Sequence, residues 1–100
     1  MREDVTELSA LGRLLQIAQR ESGQSRRVAN FLLAWYNAGE NGGWDPADLW
    51  AVDPEIADDI VSVIGLIRRV DCKYPNDLGF EQEIWAIWRR WRGAAESTDG

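Results

Sequence analysis

Apolar residues recur at every third or fourth position in four separate stretches of this chain, and no stretch alternates apolar with polar residues well enough to compete as a strand. That period places the chain in the all-α class. The first helix is predicted over Val5–Arg20, with Leu8, Leu11, Leu15 and Ala18 on one face, a capping-box spacing at Asp4 and Glu7, and a stop at Gly23. Ser25 is expected to cap a second helix over Arg26–Ala38, striped by Val28, Phe31, Leu32, Trp35 and Tyr36. Leu33 lies off that stripe, so this helix is apolar on more than one side and reads as the central one.

The Gly39–Gly43 loop is followed by two Asp-Pro pairs, Asp45-Pro46 and Asp53-Pro54, each a capping aspartate before a proline at the first helical position. The first opens a short turn carrying Leu49 and Trp50. The second opens a helix over Pro54–Val70, striped by Ile56, Ile60, Val63, Ile64 and Ile67. Asp71–Gly79 reads as a loop broken by Pro75. The last helix is predicted over Phe80–Arg92, with Phe80, Ile84, Ile87, Trp88 and Trp91 inward. The expected fold is a compact bundle of four helices plus one short helix in a single domain, 1–92, with a polar tail over 93–100. In a chain of 100 residues one core is all that can form, and six tryptophans supply much of its bulk.

Several function classes are disfavoured by what the chain lacks. There is no histidine, which removes the usual base of nucleophilic catalysis and the commonest metal ligand. Cys72 is the only cysteine, so no internal disulfide is possible, and it reads as a half-buried inert thiol of a reducing compartment. Asp58 and Asp59 point about 100° apart on a helix and do not converge. Asp45, Asp48 and Asp53 lack the register of a calcium loop. No phosphate-binding glycine motif occurs. No catalytic residue, cofactor site or metal site is expected. MREDVTEL lacks the apolar run of a signal peptide, and no run approaches the roughly 20 residues of a membrane span, so the cytoplasm is the expected compartment.

The net charge of -6 is unevenly placed. Between Val28 and Ile67 there is no Lys or Arg, while Glu40, Asp45, Asp48, Asp53, Glu55, Asp58 and Asp59 fall there. Such a block repels phosphates and favours a basic protein partner over direct contact with nucleic acid. Part of it has a local explanation, because acids at a helix N-terminus cap it or meet its dipole. Arg26 and Arg27 are expected to pair with the block inside the fold. Arg89, Arg90 and Arg92, interleaved with Trp88 and Trp91, suit the C-terminal end of a helix dipole better than a nucleic-acid site. The predicted stripe of the Pro54 helix turns Asp58, Ser62, Gly65 and Arg69 outward, with Glu55 and Asp59 on one flank. Gly65 in an exposed helix reads first as simple tolerance and second as close approach by another backbone. Trp35, Trp88 and Trp91 read as core. Trp85 is well off its stripe and Trp44 sits in a loop, which makes them candidate interface anchors, with a satellite cluster under the loop equally open for Trp44. The candidate partner-binding set is Glu40, Trp44, Asp48, Glu55, Asp58, Asp59, Ser62, Gly65 and Trp85.

The segments FLLAWYNA, GGWDPADLW and VDPEIADDI, continuing to YPNDLGFEQEIW, resemble a family of small helical proteins carried in accessory and mobile DNA of proteobacteria, over roughly Ser25–Arg92. That family includes anti-CRISPR proteins. The resemblance implies an inhibitor that binds protein subunits of a type I-F CRISPR surveillance complex and blocks target DNA. The alternative is a non-enzymatic regulatory or structural homodimer with Trp85 and Gly65 at its seam. A helical DNA-binding regulator is disfavoured by the acidity.

Overall fold

The computed structural model describes residues 2–93, with side chains from Thr6 onward. Four α-helices carry the chain: α1 Arg2–Ile17, α2 Gly23–Asn41, α3 Pro54–Arg69 and α4 Glu81–Trp88. Single 3-10 turns at Pro46–Trp50 and Pro75–Leu78 lie between them, and α4 widens into a π turn at Arg89–Gly93. No strand occurs among the described residues. The all-α reading holds, and the Asp71–Gly79 segment, expected as loop, contains the second short turn. Gly93, expected in the tail, closes the π turn; residues 94–100 of that tail lie outside the described residues.

Helix α1 buries Ala10, Leu11, Leu14 and Leu15, with Ala18 just past its end. Leu8, predicted on this stripe, is 38% exposed, and Leu14 takes the buried place. The backbone of Asp4 is already helical, so it does not cap; its side chain lies outside the described residues. Gly23 begins α2 rather than stopping α1. The cap of α2 is Ser22, not Ser25: Ser22 is extended and its Oγ accepts from the Ser25 N–H at 3.0 Å. The two hydroxyls share a further hydrogen bond of 2.8 Å, which satisfies Ser25 in its fully buried place.

Helix α2, expected to be central, is buried on more than one side, but α1 is the helix that packs on all three others. Val28, Ala29, Phe31, Leu32 and Leu33 are all buried, and the helix packs on α1, α4 and the Pro75–Leu78 turn. Near its end Asn37 is extended (φ -166°, ψ 85°) and breaks the regular path. Asparagine side chains compete with the backbone for its partners. Here Asn37 Oδ1 accepts from the Glu40 N–H at 3.3 Å, and Asn41 Nδ2 donates to the Leu33 carbonyl at 3.2 Å. A last turn is thereby re-capped beyond the predicted end at Ala38.

The Pro46–Trp50 turn is capped as predicted, with Asp45 Oδ1 accepting from the Ala47 N–H at 2.9 Å. Asp53 does not cap α3 with its side chain. Instead its N–H donates to Gln24 Oε1 at 2.6 Å and its carboxylate accepts from Gln24 Nε2 at 3.4 Å, tying the start of α3 to the first turn of α2. Helix α3 buries Ile60, Val63 and Leu66, while Ile64 is 40% exposed. The helix is thus turned about its axis from the predicted stripe.

Helix α4 buries Ile84 and Ile87, and its wide last turn clamps the bundle shut. Trp91 Nε1 donates to the Ala18 carbonyl at 2.6 Å, Arg90 pairs with Glu21 at 3.1 Å, and Arg92 Nη2 donates to Asn30 Oδ1 at 2.9 Å and to the Asn41 carbonyl at 3.2 Å. Trp35, Trp88 and Trp91 pack against the core from its edge. Trp35 Nε1 donates to the Lys73 carbonyl at 3.1 Å, fixing the loop after α3.

Two indoles now make a test. Trp91 has a carbonyl acceptor, whereas the buried Trp44 Nε1 meets no acceptor among the described residues. Removing a bonded N–H leaves the Ala18 carbonyl stranded, and removing an unbonded one relieves a desolvated donor. Trp91→Phe is therefore expected to lower stability by about 1 kcal/mol more than Trp44→Phe. Urea denaturation of the two variants measures this; equal losses would show that indole hydrogen bonding does not set the difference.

Candidate functional site

Helices α1 and α3 form the most extensive helix pair of the described fold. Their seam is clasped by two ion pairs. Arg13 makes two hydrogen bonds to Asp59, both at 2.9 Å, and Arg69 Nη2 meets Glu7 Oε1 at 2.6 Å. The Asp59 side chain is 14% exposed. Its hydrogen bonds, and then its charge, raise the Arg13 pKa above the ordinary arginine value. Gly65 lies on this seam: a Cβ added there would sit 3.2 Å from Glu7 Oε2. The close approach suspected at Gly65 is real, but it comes from a side chain of the same chain.

The predicted outward set therefore divides. Asp59 and Gly65 face α1. Ser62 is half-buried. Asp48 pairs with Arg27 at 3.5 Å, the internal pairing expected for that arginine. Trp44 is not an exposed anchor: its ring packs edge-on to Phe31 with centroids 4.9 Å apart. Glu40, Glu55, Asp58 and Trp85 remain exposed.

These four fall in two places. Glu55 and Asp58, with Asp53, Asp59, Arg13 and Ile56, border a shallow depression of about 570 Å³. Glu40 and Trp85, with Tyr36 and Trp88, form a cleft of about 260 Å³ between the end of α2 and α4. The two places share no lining residue. By sequence, Trp50 reads only as part of the short turn, Val61 does not read as exposed and Ile64 is expected on the inward stripe, yet they are 88%, 56% and 40% exposed. Trp50 carried a usable signal, because a single turn cannot bury both Leu49 and its neighbour; Leu49 is the one that packs on the core.

Cys72 is exposed, not half-buried, and takes a left-handed backbone at φ 64°. Among the described residues no three His, Cys, Asp or Glu side chains are grouped to hold a metal ion. No described helix is long and apolar enough to cross a membrane.

A family of unknown function, DUF7673, matches residues 8–92. The chain belongs to the DUF7673 family. The match takes in all of α2, α3 and α4, and both candidate places. No curated protein and no solved structure matches the chain.

The seam supplies the next test. An alanine at Gly65 gains about 1 kcal/mol of helix propensity and meets only the end of a flexible side chain. Gly65→Ala is expected to raise the thermal midpoint by several degrees. A fall would show that Arg69 locks Glu7 too firmly for it to yield.

Proposed function

We propose that this chain is a non-catalytic binding protein of the cytoplasm that engages a basic surface of a macromolecular partner through the Glu55–Asp58 end of α3. One observation carries the reading. After internal pairing has taken Asp48 and Asp59, Glu55 and Asp58 stay exposed with no cation bound to them among the described residues. The helix dipole offsets only part of their charge, and Arg13 nearby is paired with Asp59, so the surface keeps a net negative field that steers basic partners and repels nucleic acid.

The resemblance over Ser25–Arg92 directs the choice of partner to a type I-F CRISPR surveillance complex. Such machines hold guide and target in positively charged channels. An acidic helix end lodged in one of them would exclude target DNA, which makes the chain an inhibitor. The exposed Trp50, Val61 and Ile64 support a second reading, a homodimer joined through apolar contacts. Gly65 has no place in that seam, because Glu7 already covers it.

Purified type I-F complex is expected to retain the protein on a sizing column and to lose target DNA binding. Replacing both Glu55 and Asp58 by Lys is expected to weaken that binding about tenfold or more, since repulsion replaces attraction. Asp59 is left intact in this variant because it holds Arg13. Light scattering of the free protein separates the second reading: a monomer at micromolar concentration removes the homodimer. A gel shift at low salt is expected to show no DNA binding. Failure of the intact protein to bind the complex would remove the inhibitor reading.

A further inference from the structure

We propose that the cleft formed by Tyr36, Glu40, Trp85 and Trp88 is a binding site for an arginine side chain of a partner protein. This inference uses none of the Glu55–Asp58 surface and holds whichever partner that surface meets.

Three aromatic rings and one carboxylate line the cleft. Trp85 and Trp88 are three residues apart on α4 and so share a helix face. Tyr36 and Glu40 come from α2 on either side of the Asn37 break, and Asn37 Oδ1 fixes the backbone at Glu40. Trp88 is backed by Gly93: a Cβ on that glycine would lie 3.2 Å from Trp88 Cζ3. The cleft is therefore held on two sides by backbone features and is not a chance gap between mobile side chains. Trp85 is 51% exposed although hydrophobic, so its ring is available to a ligand.

Charge and shape select the occupant. The faces of aromatic rings attract cations, and tryptophan does so best. Glu40 is exposed and pairs with no cation among the described residues. The C-terminal end of α2 adds the negative end of a helix dipole. An anion is repelled by all three, and an uncharged apolar group would leave Glu40 without a partner. Among cations, a planar guanidinium both stacks on an indole and offers paired donors to a carboxylate, which a lysine ammonium cannot do. Arg92 is committed to Asn30 and Asn41, and Arg89 borders an adjoining depression with Glu81, Gln82 and Trp85, outside the lining of the cleft itself.

The test needs only the free protein and a capped Gly-Arg-Gly peptide, with the neutral citrulline analogue as its control. Indole N–H signals in nitrogen-edited NMR, assigned by Trp→Phe variants, report the site. The arginine peptide is expected to shift the Trp85 and Trp88 signals in a saturable way, with the citrulline peptide weaker by about tenfold. Glu40→Gln should weaken the arginine peptide several-fold, and Trp85→Ala should abolish the shifts while leaving circular dichroism and the thermal midpoint unchanged. Equal binding of citrulline, no saturation at tens of millimolar, or shifts confined to the Glu55–Asp58 amides would each overturn the proposal. Because no surveillance complex enters the test, its failure leaves the α3 surface reading standing, and failure of that reading leaves this one standing.

Discussion

The paired clasp between α1 and α3, Arg13 with Asp59 and Arg69 with Glu7, fastens the most extensive helix pair of the described fold. Between Ile60 and Ile67 α3 is apolar on most of its circumference, so burial alone is satisfied by more than one rotation. Ion pairs at exposed positions add little stability, but they are directional. In the orientation that pairs Asp59 with Arg13, Leu66 turns inward and Val61 and Ile64 turn out. The orientation of α3 in turn fixes which acids of the basic-free block meet a cation within the chain and which face water.

That block is consequently less of a surface than its composition suggests. Asp45 caps a turn, Asp53 is engaged with Gln24, and Asp48 and Asp59 have arginine partners from α2 and α1. Arg13 and Arg27, both from the stretch before Val28, supply the cations for a stretch that has none. What is left over, Glu40, Glu55 and Asp58, is small in number and split between two regions that differ in chemistry. One is a bare acidic helix end, and the other sets a carboxylate among aromatic rings.

The helices were legible because their apolar period is strong, and α2 declared its burial on more than one side through Leu33. Their ends were less so. Ser22 and Ser25 are both sound caps by residue type, and the extended backbone of Ser22, whose Oγ accepts from the Ser25 N–H, decides between them. The break at Asn37 and the π turn after Trp88 depend on side-chain competition for backbone groups, which leaves no periodic trace. Among candidate site residues, Glu55, Asp58, Glu40 and Trp85 were readable from charge and angular position. For Trp44 the loop cluster, and not the anchor, is what Phe31 provides by offering it a ring edge across the fold, and at Gly65 the neighbour is a side chain from α1 and not another backbone. Both facts are tertiary and belong to no local window.

The clamp at Arg89–Gly93 bears on when this protein acquires its shape. Trp91, Arg90 and Arg92 reach partners 73, 69 and 62 residues earlier in the chain. Contacts of such sequence separation form late, because a long loop must close before they reward it. On a ribosome, which delivers residues in order, α1 and α2 emerge well before the groups that lock them together. Until Trp91 and Arg92 have emerged, Ala18, Asn30 and Asn41 lack the partners that the finished bundle gives them.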